Sequence, residues 1–335
     1  VNQDSSSKER RCVNQLREGE PLEQIFLAVD KQLRSNRSGN LYLQLRLGDR
    51  TGTLTGMLWN ANEKVSNTFE KGDFVRIKGS TQVYNGGLQM IVTAVHRVAP
   101  ENISDKSEFF VLDSRQIEQL FAQLTQQIRA LKNHHMRNLA DCFLLDEELT
   151  GRLQQAPAGI RNHHAYSGGL LQHVVGLISL CENVAPLYPA VDSDLLRLGA
   201  FLHDIGKVDE LLYDRELGYS DEGQLVGHLV QGVAILDQKI RESEKLSGEA
   251  FPEELAWRLR HMIVSHHGIP EFGAVKVPMT LEAVALHYLD SLDAKMNSYT
   301  QWVQEDANNE SNWTAYSPQE SRKFYKPSVN TEQDH

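Results

Sequence analysis

The chain has 335 residues, of which 40% are hydrophobic and 24% charged, with a formal net charge of -11; that length suffices for two or three domains that each bury a core. No secretory leader and no run of about 18 apolar residues stands out, which excludes an evident membrane protein and predicts a soluble, cytoplasmic one, and the opening on Val1 rather than Met is what a trimmed start would leave. The three cysteines, Cys12, Cys142 and Cys181, have no metal-type spacing and exclude a disulfide framework.

Charge is uneven along the chain: residues 1–100 carry 14 Lys and Arg against 10 Asp and Glu, and residues 101–335 carry 20 against 35. A mildly basic front on an acidic body suits a nucleic-acid partner at the N-terminal end, and suits ordinary solubilising charge equally well. Residues 1–12 are polar and predict disorder. Residues 13–98 read as β. "LYLQLRL" (41–47) alternates, with Leu41, Leu43, Leu45 and Leu47 on one face and Tyr42, Gln44 and Arg46 on the other. "DRTG" (49–52) is a turn and "TLTGMLW" (53–59) a second strand; "GDFVRIKG" (72–79) buries Val75 and Ile77 and turns Phe74, Arg76 and Lys78 outward. The Asn-Gly of "YNGG" (84–87) signals a hairpin into "LQMIVTAVHRV" (88–98). Five or so short strands in this span predict a small barrel.

Residues 99–113 read as a linker, and the pattern turns helical from Ser114. Ile117, Leu120, Phe121, Leu124, Ile128 and Leu131 form one stripe, and further helices are expected near 136–145, 168–185, 194–205, 227–243, 253–266 and 280–303. The expected organisation is multidomain α+β: a β-barrel at 13–98, connecting helices at 114–159, an all-α bundle at 160–303 and a polar tail at 304–335. The tail reads as a docking strap or as disorder.

Polar residues recur in the apolar helices of the second half: His173 in "GGLLQHVVGLISL", His203 and Asp204 in "AFLHDIGKV", His228 in "LVGHLVQGVAIL", His266 and His267 in "MIVSHHG", and Asp290 and Asp293 in "ALHYLDSLDAK". One such histidine is most simply a satisfied core residue. A carboxylate at an apolar helix end is costly without a partner, and helices that each present a His or Asp are how bundles build metal sites. Mixed nitrogen and oxygen donors suit Mn²⁺, Fe²⁺, Co²⁺, Ni²⁺ or Zn²⁺ and disfavour Ca²⁺; Mn²⁺ is the expected ion, with the others and Mg²⁺ as alternatives. Two such ions roughly 3.5–4 Å apart can share a water and lower its pKa. Lys207 reads either as a contact to a phosphate oxygen or as a solvated helix-end lysine. Asp293 either pairs with Lys295 or orients a ligand. Arg161, His163 and His164 read as contacts to substrate phosphate or as surface residues.

The order His173, His203-Asp204, Asp290 resembles the HD superfamily of metal-dependent phosphohydrolases, whose central phrase is "HDIGK". That resemblance implies one metal on His173, His203, Asp204 and Asp290, with Asp204 bridging and catalytic, and a second on His228 with His266, His267 or both. "LGDRTGTLTGMLWN" and "GDFVRIKGSTQVYNGGLQMIV" resemble the OB-fold. Its outward Tyr42, Arg46, Trp59, Phe74, Arg76, Lys78 and Tyr84 mix aromatic platforms with cations, as single-stranded nucleic acid requires; sealing of the barrel is the competing role for the aromatics. OB-fold, linker helices and HD domain in this order resemble the YhaM-type 3′–5′ exoribonucleases of bacteria, over about residues 13 to 300. The resemblance implies a metal-dependent exonuclease on single-stranded RNA, and on single-stranded DNA if the 2′-OH is not read, with Asp204 and Lys207 as catalytic groups and nucleoside monophosphates as products. A nucleotide phosphohydrolase or cyclic-nucleotide phosphodiesterase, and a non-catalytic nucleic-acid adaptor, are the rival functions. A homo-oligomer fits the sequence as well as a monomer does.

Overall fold

The computed structural model of the protein describes residues 10–36, 39–84, 87–105, 108–109, 112–160, 166–213, 218–306, 311–317 and 320–326. The chain divides into two compact units, the first from Val1–Val111 and Thr300–His335, the second from Leu112–Tyr299.

In the first unit, β1 (Pro21–Ser35), β2 (Leu41–Asp49), β3 (Gly52–Trp59), the short helix α1 (Glu63–Ser66), β4 (Phe74–Tyr84) and β5 (Gly87–Val98) form a closed barrel with strand order β1-β2-β3-β5-β4. Closure comes from a parallel pairing of β3 with β5, from Thr55 opposite Gln89 to Met57 opposite Ile91. The alternation read in β2 is observed: Leu43, Leu45 and Leu47 fill the barrel with Phe26, Val75, Ile77 and Met90. β1 carries no clean alternation because its register shifts between Ala28 and Asp30. A bulge there moves the inward positions from even to odd numbers. The Asn85-Gly86 hairpin signal lies outside the described residues.

Two expectations about this unit fail. Phe74 is not an exposed platform: it is 5% exposed, because Phe109, from the stretch read as a linker, meets its ring edge-on at 4.9 Å. Arg10 then lies 4.1 Å over the Phe109 ring and donates to Glu108 Oε2 at 2.9 Å, so the expected disorder does not extend to Arg10. Described residues of the tail are paired, with antiparallel bridges between Trp313 and Tyr325 and between Ser317 and Arg322.

The second unit is helical: α2 (Ser114–Arg129), α3 (His134–Leu144), α4 (Glu147–Gln155), α5 (Gly169–Val184), α6 (Ser193–Leu202), α7 (Lys207–Glu210), the two-residue strands β6 (Leu211–Leu212) and β7 (Gly218–Tyr219), α8 (Asp221–Val226), α9 (His228–Ser247), α10 (Glu253–Ser265) and α11 (Leu281–Glu305), whose last residues cross into the first unit. Gly169–Leu187 is, by length and composition alone, apolar enough to cross a membrane; here its Leu170, Leu171, Val174, Leu177 and Ile178 are packed core. α6 stops at Leu202 rather than running to residue 205, and His203 to Gly206 form a turn that leads into α7. A Cβ on Gly206 would stand 2.1 Å from the His228 carbonyl oxygen, so glycine is what lets this turn press against the first turn of α9. That close approach carries His203 and Asp204 to His228.

Candidate metal centre

Five segments deliver the second unit's polar residues to one place: α5 supplies His173, the α6–α7 turn His203 and Asp204, the start of α9 His228, the end of α10 His266 and His267, and α11 Asp290. Among the described residues, ligand atoms of His173, His203 and Asp204 lie within 4.8 Å of one another, as do those of His203, His266 and Asp290 and those of His228, His266 and His267. His203 and His266 are buried outright.

Four of the rings are held the same way round. Nδ1 of His203 donates to the Ala200 carbonyl (2.8 Å) and Nδ1 of His266 to the Ile263 carbonyl (2.8 Å). Nδ1 of His228 donates to Glu210 Oε1 (3.0 Å) and Nδ1 of His173 to Asp293 Oδ2 (2.8 Å). Each Nε2 is therefore the nitrogen left facing inward. Inward lies more negative charge: His173 Nε2 is 3.2 Å from Asp290 Oδ1 and 3.3 Å from His203 Nε2, and His203 Nε2 is 3.2 Å from Asp204 Oδ2. Asp204 divides its oxygens. Oδ2 faces His203 and Lys207, whereas Oδ1 stands 3.5 Å from both His228 Nε2 and His266 Nε2. Buried Asp204 Oδ1, His228 Nε2 and His267 Nδ1 have no hydrogen-bond partner. Buried polar atoms are rarely left so, and a divalent cation satisfies lone pairs of both kinds; the donor set fits the metal that the sequence implies.

The electrostatics agree. Burial opposes charge on Asp204, but Lys207 and His203 outweigh it and hold the carboxyl well below the usual carboxylate range. Burial likewise opposes charge on Asp290, and His173 and His203 keep it ionised. For His173 burial pulls downward, yet Asp290 and Asp293 raise the pKa to about 9, the mark of a strongly negative pocket. Burial, then the proximity of His266 and His228, lowers His267 to about 3, so it stays neutral and able to ligate. Lys207 Nζ donates to Asp204 Oδ2 and to the Ala158 carbonyl, both at 2.7 Å, which uses two of its three donors.

Of the two roles read for Asp293, the orienting one has a geometry to match: its Oδ2 accepts from His173 Nδ1 at 2.8 Å. Glu210 was missed by sequence reasoning. It lies three residues after Lys207 in a polar stretch, and nothing in the pattern marks it as the partner of His228. Arg161, His163 and His164 lie outside the described residues.

On the barrel, Tyr42 and Trp59 are cross-strand neighbours with ring centroids 5.2 Å apart, and Trp59 is 48% exposed. Exposed Arg46, four residues further along the outward face of β2, borders a polar groove of about 210 Å³ that Gln32, Gln44, Thr53 and Thr55 also line. Those four polar residues were not singled out from the sequence, although Gln44 falls on the outward face read for β2. Arg76, Lys78 and Tyr84 are exposed too, but they lie on β4, which is not adjacent to β2 or β3. The structure thus groups Tyr42, Arg46 and Trp59 and sets the β4 residues apart.

Comparison with known proteins gives a consistent outcome. Residues 170–295 match the HD domain and residues 29–98 the OB-fold nucleic acid binding domain. The 3′-5′ exoribonuclease YhaM of Bacillus subtilis (strain 168) is 31% identical over 309 residues, which is 92% of this chain and 96% of that protein. The protein of the same name from Halalkalibacterium halodurans is 33% identical over 311 residues, 92% of this chain and 94% of its own. Among solved structures, the second OB-fold domain of replication protein A from Methanococcus maripaludis aligns with 29% of this chain and 98% of its own length, at 23% identity and a TM-score of 0.22.

Proposed function

This chain belongs to the YhaM family of 3′-5′ exoribonucleases, and from that premise we propose that it hydrolyses single-stranded RNA from the 3′ end to nucleoside monophosphates at the Asp204 centre, with two divalent metal ions, Mn²⁺ foremost. The observation that carries this reading is the division of Asp204: one carboxylate oxygen faces His203, the other His228 and His266.

His173, His203, Asp204 and Asp290 would hold one ion, and His228, His266 and His267 with Asp204 the other. Bound there, divalent ions supply neutralising charge for the phosphate oxygens and a lowered pKa for an attacking water. The chain's own residues do the rest. The Nδ1 bonds to Ala200, Ile263, Glu210 and Asp293 fix ring tautomer and direction before substrate arrives. Lys207 neutralises Asp204 in the resting site and has a third N–H to offer a non-bridging phosphate oxygen as charge builds on phosphorus. Water adds to phosphorus as the bond to the penultimate 3′-oxygen breaks, and that oxygen leaves with a proton. Tyr42, Trp59 and Arg46 on the barrel serve the upstream strand by stacking and charge, and Arg76, Lys78 and Tyr84 add a separate basic and aromatic strip. Single-stranded DNA is a further substrate to examine.

The test is a time course with 5′-labelled single-stranded RNA and Mn²⁺, run beside Asp204→Ala. Wild-type protein should give a ladder that shortens from the 3′ end, and the variant should be slower by about 10³-fold or more. RNA left intact by both would refute the reading.

A further inference from the structure

Resting on the exonuclease reading above, we propose that Phe272 is a stacking platform for the 3′-terminal nucleobase of the RNA, set at the edge of the metal centre by the turn that follows His267.

The argument starts from the turn. After α10, the chain passes through His266 and His267 and enters a single 3₁₀ turn, Pro270–Phe272. Phe272 N–H donates to the Ile269 carbonyl (3.0 Å), Gly273 N–H to the Pro270 carbonyl (2.9 Å) and Ala274 N–H to the Ile269 carbonyl (3.2 Å). Val275 N–H then donates to the Val264 carbonyl of α10 at 2.9 Å, and Ala274 is buried beneath. Pro270 restricts the entry to this turn. The backbone is thus fixed at both ends of Phe272.

Its side chain is nonetheless 71% exposed. A lone exposed apolar residue is unremarkable in itself; position makes this one informative. The next residue, Gly273, has φ +96°, and a Cβ there would stand 3.3 Å from His267 Nδ1, one of the buried ligand atoms without a hydrogen-bond partner. The turn therefore runs directly against the ring of His267, a member of the candidate metal-holding group His228, His266 and His267, with Phe272 one residue along the chain. A nucleotide whose phosphate occupies the centre carries its base within one nucleotide's reach of that phosphate. An aromatic ring held by backbone hydrogen bonds accepts any of the four bases, because every base has a π-face. An enzyme that removes residues one after another regardless of identity needs such tolerance.

The experiment compares wild type, Phe272→Ala and Phe272→Tyr on two 5′-labelled RNAs, one intact and one whose 3′-terminal residue is abasic, with Mn²⁺ binding by titration calorimetry as a readout that involves no base. On intact RNA, Phe272→Ala should lower kcat/KM about tenfold, and Phe272→Tyr should restore it. On the abasic RNA, wild type should fall to the level of Phe272→Ala, and the two should be equal. All three proteins should bind Mn²⁺ alike, which shows that the centre is undamaged. Should wild type degrade RNA while Phe272→Ala matches it, or should the gap persist on the abasic RNA, the platform is wrong and the exonuclease stands. Intact RNA with wild-type protein would remove both.

Discussion

Asp204 has two oxygens in different surroundings, and that one side chain joins both halves of the centre. Its neighbours are held by groups that never meet substrate, and these are where a residue-scale prediction is sharpest. Asp293 accepts from His173 Nδ1 at 2.8 Å. Asp293→Asn keeps the shape but weakens the orientation and basicity of His173, so Mn²⁺ affinity should fall about 10- to 100-fold, as titration calorimetry would measure, with the fold intact by circular dichroism. Most of the candidate ligands were legible because buried histidines and aspartates stand out against apolar helices. Glu210, Ala200 and Ile263 were not, for a physical reason: a carbonyl has no sequence signature, and a glutamate in "KVDE" looks like any solvated helix-end residue.

Elements were legible in proportion to the regularity of their patterns. β2 and α5 declare themselves by uninterrupted alternation and apolar content. β1 hides behind its register shift at Ala28 to Asp30. α4 hides because its only buried apolar residues are Leu149 and Leu153, with Gly151 between them. What secures α4 is Asp146, whose side chain accepts from Leu149 N–H at the helix start and from Lys239 Nζ of α9 at 2.7 Å. Burial works against charge on Asp146, but the Leu149 amide and Lys239 overcome it and lower its pKa. A carboxylate whose pKa is lowered by folding adds stability that is complete above its unfolded value and lost as pH falls through the folded one. Wild-type protein should therefore lose more stability than Asp146→Asn between about pH 5 and about pH 2, so their urea midpoints should converge on acidification. Midpoints that stay parallel across that range would contradict the assignment. Phe74 teaches a related lesson. Its outward position on β4 was legible, but the cover supplied by Phe109 was not, because strand alternation says nothing about what the chain lays over the outside of a barrel later.

At the scale of the molecule, the contrast between a net-acidic chain and exposed Arg46, Arg76 and Lys78 on the barrel bears on how RNA is held. Phosphate contacts release counterions, so the affinity for single-stranded RNA should fall as salt rises, with a linear log–log slope. Arg46→Ala and Arg76→Ala should each reduce that slope by about one contact. Filter binding or fluorescence anisotropy with the Asp204→Ala protein, which leaves the RNA whole, would read it. A slope near zero would mean that stacking alone grips the strand.

The first unit is assembled from residues at both ends of the chain, with the whole of residues 112–299 between its parts. Synthesis runs from the N-terminus, so every barrel strand emerges before the helical unit, and the segment around Trp313 and Tyr325 emerges after it. Closing that gap across an unfolded stretch would carry the entropy of a very long loop; prior folding of the helical unit replaces the loop with a compact body. Folding of residues 112–299 therefore bears on how readily the two parts of the first unit meet.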